Sequence, residues 1–372
     1  MTTPTNIITA CAAITALGDG LAPLERALAD NTTGLRSCAR FTGKNYQTDV
    51  VGAVPDALWE ELRRNDPTHA DAPAFLLAHH VIRQLRPQAT GRVGLVLSTT
   101  KADITALERG DDSHRHILPG QLAADLAAAN NITGPVRCVS VACVSGLLAI
   151  QTGAELLQRG EADTVIVAGV DLLSDFVLAG FTSLKSLELE GCRPFDKDRT
   201  GLSLGEGAGA VLLARGSGMA VIGWGSSNDA NHLTGPSRDG AGLALAMQRA
   251  LKKAGIQPGE VDFVHAHGTG TLYNDSMEAL ALRLVFGDSI PSFCSSKGLF
   301  GHTLGAAGVL ETILCVLAAR AGIAPGTPRL RVAGADMPAA LQLAPRCNAK
   351  LRTIVKINAG FGGTNAALVL QT

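Results

Sequence analysis

Along this chain, short runs of consecutive apolar residues alternate with longer stretches in which apolar positions recur every three or four residues. The first kind reads as strands buried on both faces, the second as helices that bury one stripe. A helical stretch over 72–85 precedes a strand over 92–97. A strand over 137–141 then leads into a helix over 144–159, and another strand covers 164–168. This order predicts the α/β class. The same rhythm then returns: 241–254 reads as a helix, 261–265 as a strand that ends in a polar Gly/Thr turn, 292–296 as a strand and 306–320 as a helix. Each round closes on a similar glycine-led run, 205–213 in the first and 362–370 in the second. The repeat predicts a tandem pseudo-duplication with its joint near Gly216-Ser217-Gly218, giving an N-terminal half, 1–216, and a C-terminal half, 217–372.

Composition sharpens this picture. Of the 372 residues, 46% are hydrophobic and 17% charged, the latter below the ~25% of an average soluble domain. Forty-two glycines imply many tight turns around a dense core. The net charge of −1 and an aromatic content of 4% give no reason to expect nucleic acid or an anionic membrane as a partner. The first six residues carry no basic segment ahead of an apolar run, and no unbroken apolar run reaches the ~18 residues of a bilayer span, so neither a signal peptide nor a membrane helix is expected. Eight scattered cysteines without a CxxC pair fit reduced thiols and a cytoplasmic location.

Four segments could carry chemistry. Val141-Ala142-Cys143-Val144-Ser145-Gly146 sets a cysteine between a strand and the first turn of a helix, where free N–H groups and the helix dipole favour thiolate. On position alone, a small buried core cysteine is the favoured reading, and the rest of the chain reverses it. His265-Ala266-His267-Gly268-Thr269-Gly270-Thr271 leaves a strand for a glycine turn, so His267 can face a cleft. Two histidines two apart could ligate a metal, but no further ligand accompanies them at a recognisable spacing. In Ser295-Ser296-Lys297-Gly298-Leu299-Phe300-Gly301-His302, a lysine amid apolar residues calls for an anion, and Glu311 is the nearest. The alternative is a solvated lysine on an exposed loop. The turn Asn358-Ala359-Gly360-Phe361-Gly362-Gly363-Thr364-Asn365 could offer N–H groups to an oxyanion or simply reverse the chain.

Together the four segments resemble the β-ketoacyl-acyl-carrier-protein synthases of the thiolase superfamily, specifically the elongating Cys-His-His group. Pro194-Phe195-Asp196-Lys197-Asp198-Arg199-Thr200-Gly201 and Gly205-Glu206-Gly207-Ala208 are similar to a further signature of that family. The resemblance implies a five-layered αβαβα fold made of two similar halves. It implies Cys143 as nucleophile, His267 and His302 as donors to a malonyl thioester, and a Lys297–Glu311 pair as support. It further implies that neighbouring backbone groups, such as those around Thr269 and Thr271, fix the tautomer of the histidines, and Phe361 as gate and, with Cys143, oxyanion donor. The implied partners are acyl- and malonyl-loaded acyl carrier protein and a second ketosynthase-like subunit, identical or not, paired through 137–141; no metal or other cofactor is implied. The chain departs from the pattern at Ala359 and Val144 and in shortened stretches over 101–133 and 171–191. In that trimmed shape it resembles ketosynthases of aryl-polyene and flexirubin-type pigment pathways. The competing readings are a non-catalytic chain-length partner and a thiolase-like enzyme acting on coenzyme A esters.

Overall fold

The two rounds of the pattern fold into two sets of five strands. The structure, a computed structural model, describes residues 6–112 and 115–372. The first set is β1 (Ile7–Thr15), β2 (Val93–Ser98), β3 (Val136–Val139), β4 (Thr164–Asp171) and β5 (Gly207–Ala214). The second is β6 (Met219–Asn228), β7 (Phe263–His265), β8 (Ser292–Cys294), β9 (Thr353–Gly360) and β10 (Thr364–Gln371). Their order is β3-β2-β4-β5-β1, continuing into β6-β10-β9-β7-β8, so the second set repeats the first outward from a shared centre. In each set the strand second from the edge runs parallel to both neighbours, and the remaining pairs are antiparallel. The sets join where β1 meets β6 through two residue pairs, Ile7 with Ala220 and Ile8 with Met219.

The helices that position the site are α1 (Pro73–Leu85), α2 (Pro119–Ala129), α3 (Ser145–Gln158), α4 (Asp175–Ser183), α5 (Ala241–Ala254), α6 (Leu272–Phe286) and α7 (Ala307–Ala321). Local chemistry sets several ends. Pro73 and Pro119 fill first-turn positions where no N–H is needed, while Gly255 and Gly322, at φ of 71° and 62°, close α5 and α7. Helices α1 and α2 cover the outer face of the first set, α5 and α6 that of the second, and α3 and α7 lie between the sets. Strand alternation feeds these layers: Val165 and Val167 of β4 enter the central core, while Ile166, Ala168 and Val170 enter the outer one. The result is the expected five-layered αβαβα arrangement.

The central helices approach so closely that glycine is required. A Cβ on Gly146 of α3 would sit 2.7 Å from Val309 N, and one on Gly308 of α7 would sit 2.5 Å from Leu147 N. Among the described residues, 304–321 is long and apolar enough to cross a bilayer by length and composition, against the expectation that no stretch would qualify. Glu311 and Arg320 interrupt it as a run, but most of it is buried among apolar neighbours between the two sheets, which selects the same composition. The strand expected over 137–141 ends at Val139, because Ser140 to Val144 form the turn that carries Cys143.

Candidate active site

Two strand–turn–helix junctions and two glycine turns converge where α3 and α7 begin. At the first junction Ser145 ties the turn, its hydroxyl accepting from Val141 N at 2.8 Å and donating to Ala142 O at 2.6 Å. Ala142 is held at φ 43°, a left-handed conformation that costs a non-glycine residue about 1–2 kcal/mol. This bend turns Cys143 toward the cavity. The final turn lies against it, since a Cβ on Gly360 would be 3.2 Å from Cys143 N, and the Phe361 N–H is directed at the thiol.

His267 and His302 arrive from the second set. One ring nitrogen of each and the Cys143 sulfur all lie within 4.8 Å of one another, and all three residues are buried. The imidazoles stand edge to face at 83°, with centroids 5.1 Å apart. Their tautomers follow from their partners. His267 Nδ1 is 3.1 Å from the Asn358 amide nitrogen and 3.4 Å from Lys297 Nζ, both donors, so it must accept and the ring proton belongs on Nε2. His302 Nδ1 accepts from Leu304 N–H at 3.3 Å, which fixes the same tautomer. Backbone groups around Thr269 and Thr271 were expected to do this. Both residues line the cavity and their hydroxyls bond to each other at 2.8 Å, while the contacts to Nδ1 come from Lys297, Asn358 and Leu304.

The lysine is not solvated. Lys297 is 1% exposed and pairs with Glu311, as the apolar setting required, and also donates to the His267 carbonyl at 3.0 Å. Sequence reasoning missed the rest of this network. Lys356 reaches the other oxygen of Glu311 at 2.9 Å, and Asn358 bridges Glu311, His267 and the Cys143 carbonyl. It also missed two acids on α6: Glu278 accepts the N–H groups of His267 and Gly268 at 2.6 and 2.7 Å, and Asp275 those of Thr269 and Gly270. Asp275 further accepts from Phe195 N at 2.7 Å, which ties the 194–201 signature to the histidine loop. For Lys356 the available signal was a lone charged residue within an otherwise apolar strand.

Electrostatics keep the imidazoles neutral. Burial, then the Lys297 charge, holds both histidines well below their ordinary value, and burial pushes Asp275 and Glu278 up to about 6 and about 7. Burial also pushes Glu311 upward, but Lys297 and Lys356 outweigh it and hold the carboxyl below the usual range. For Cys143 the expectation of a depressed pKa is not met. Burial pushes the thiol up to about 11, only partly opposed by Lys297, Lys101 and the Phe361 N–H. The loss of water around sulfur outweighs these charges and the Phe361 N–H.

A cavity of about 490 Å³ opens on these groups, with Phe181 of α4 and Phe361 at its wall. Their rings stack 5.7 Å apart, and Phe361 is 37% exposed. The two donors and the thiol are also close enough to share a soft divalent cation such as Zn²⁺, which would occupy the sulfur. His265 is not part of that group.

The duplicated fold with its layered helices is that of thiolase-like proteins. Residues 83–218 match the N-terminal domain of β-ketoacyl synthases, and 219–331 match the C-terminal domain. The 3-oxoacyl-[acyl-carrier-protein] synthase 2 of Rhizobium meliloti is 38% identical over 68% of this chain and 66% of its own length, just under two thirds. That of Coxiella burnetii is 29% identical over 98% of both chains. A chain of a ketosynthase in complex with its chain length factor from Xenorhabdus doucetiae superimposes with a TM-score of 0.87 at 28% identity, covering 99% of this chain and 98% of that one. The chain belongs to the β-ketoacyl synthase family.

Proposed function

We propose that the protein is a β-ketoacyl-acyl-carrier-protein synthase that joins an acyl group held on Cys143 to a malonyl thioester, with loss of CO₂. The observation that carries this reading is a thiol within 4.8 Å of two neutral imidazoles whose Nε2–H groups are both free to donate. Cys143 sulfur attacks the acyl thioester, the C–S bond to the carrier breaks, and the thiol proton leaves with the carrier thiol. The developing oxyanion meets the N–H groups of Cys143 and Phe361. Malonyl thioester then enters, and His267 and His302 donate to its carbonyl. Two donors in a buried site stabilise the enolate formed as the carboxylate departs as CO₂. The enolate carbon attacks the acyl thioester, the bond to Cys143 breaks, and uptake of one proton restores the thiol. These atoms balance without a metal or other cofactor.

Loaded acyl carrier protein is the proposed partner on the strength of the relatives' names. The edge strand Val136–Val139, half exposed, suits pairing with a second ketosynthase-like subunit, identical or of the chain-length-factor kind, as in the Xenorhabdus complex. A polyene pigment pathway fits the shortened segments, and the two halves, 1–216 and 217–372, divide nucleophile from donors in a cytoplasmic enzyme. Intact-protein mass spectrometry after incubation with acyl-loaded carrier tests the reading: an acyl adduct is expected on the wild type and not on Cys143→Ala, and no adduct on the wild type would sink it.

A further inference from the structure

Behind the two histidines, β9 carries a lysine where a buried strand ordinarily carries an aliphatic residue. Lys356 is fully buried. Alternation turns Val355 and Ile357 into the outer core and sets Lys356 on the same face as Ile354, which packs in the central core, and Asn358. Its ammonium donates to the carbonyls of Ile357, Ala266 and His265 at 2.6, 3.2 and 3.4 Å, and bonds Glu311 at 2.9 Å. These contacts reach both structures that aim His267. One is the end of β7, in register with Lys356 through His265 and followed directly by Ala266 and His267. The other is the carboxylate that holds Lys297 beside Nδ1.

A buried ammonium costs several kcal/mol to desolvate, and a well-packed apolar residue usually serves stability as well or better. Both ammoniums share the Glu311 carboxylate, one on each oxygen, and burial lowers the Lys356 pKa from its ordinary value, opposed by Glu311. The charged and titratable groups that face His267 are Lys297 and His302 from the turn after β8, Glu311 from α7, Glu278 from α6, Lys356 from β9, Cys143 from the first junction and His265 on its own strand. After burial, the depressing influences on its protonation are Lys297, His302, Lys356 and His265 in that order.

We propose that Lys356 is a positioning residue for the condensation, fixing Glu311 and the β7 exit so that His267 stays neutral and directs Nε2–H at the substrate carbonyl. The proposal rests on the condensing reading above. Its test is the pH profile of malonyl-carrier decarboxylation in a Cys143→Gln parent, in which decarboxylation is uncoupled from condensation. Removal of the Lys356 charge makes both histidines easier to protonate, so the acid limb moves to higher pH. In Lys356→Met, and in Lys356→Gln as a second neutral variant, the limb is expected to rise by about 0.5 pH unit or more. The rate at pH 7 is expected to fall about tenfold, while KM for the malonyl carrier changes little. Lys356→Arg, which keeps the charge, is expected to retain the parent limb. An unmoved limb in a folded neutral variant overturns the proposal, as does failure of both neutral variants to fold, which would make Lys356 a structural staple only. A silent Cys143→Gln parent overturns the condensing reading and the proposal with it; an active parent with an unmoved limb overturns the proposal alone.

Discussion

The two strand–turn–helix junctions occupy matching places in the two halves, yet their chemistry is opposite. The first, 139–146, presents Cys143 among small and apolar residues and has no charged side chain of its own. The second, 294–311, carries Lys297 and His302 in its bend and Glu311 on the helix that follows, and receives Lys356 and Asn358 from β9 and His267 from the turn after β7. A repeated scaffold thus delivers a buried thiol from one copy and its electrostatic surroundings from the other. The comparison teaches that a buried thiol can be served by charges it does not carry locally. Burial raises Cys143, and the charges that oppose this come from Lys297 across the interface and from Lys101 beyond β2.

If the second junction holds the charge balance, Glu311→Ala should show the largest effect. It leaves two buried ammoniums without a carboxylate, an expected loss of about 3–5 kcal/mol in urea unfolding; Cys143→Ala should cost only about 1 kcal/mol. Equal losses would break the contrast. Next, His302→Ala in the Cys143→Gln background should lower malonyl decarboxylation by about 10²–10³-fold, the usual effect of losing one oxyanion donor. The same change in an otherwise wild-type chain should leave alkylation of Cys143 by iodoacetamide within a few-fold; a parallel collapse would mean that the halves are not separable.

The helix crossing should behave symmetrically. Gly146→Ala and Gly308→Ala each push a Cβ into facing backbone, and each is expected to destabilise by about 1–3 kcal/mol, read as matched shifts in urea midpoint. The smallest expected effect is acid sensitivity. Burial, then Lys356, lowers His265 to about 3 in the fold, whereas an unfolded histidine titrates near ~6.5. Between those values the unfolded chain binds more protons, so stability falls as pH drops, by up to ~1.4 kcal/mol per unit from this group. His265→Leu should flatten the slope measured between pH 6.5 and 5, and Cys143→Ala should not.

Much of this was legible in the sequence because the repeat is written in hydrophobic periodicity, and because Cys143 and His302 sit on turns that glycine and small residues mark. The need of Lys297 for an anion was legible too, since Glu311 follows on the next helix. The tautomer partners were not. Thr269 and Thr271 are neighbours of His267 in sequence, but Lys297 and Asn358, 30 and 91 residues away, are its neighbours in space. Register between β7 and β9 sets that contact, and one chain's periodicity does not reveal which strands adjoin. The high thiol pKa escaped for a related reason: a helix start is visible locally, whereas burial is a property of the whole fold.

The meeting of β1 with its neighbours also bears on time. Apart from the two-residue strand Gly18–Asp19, which pairs with Ile14 and Thr15, the strands that pair with β1 lie about two hundred residues downstream, in β5 and then β6. At a synthesis rate of ~5–20 residues per second, most of this strand waits roughly 10–40 s before those partners emerge. Until then an apolar strand whose edges are largely unpaired must be shielded, so the seam that joins the two halves is also where a nascent chain is exposed to mispairing with another copy of itself.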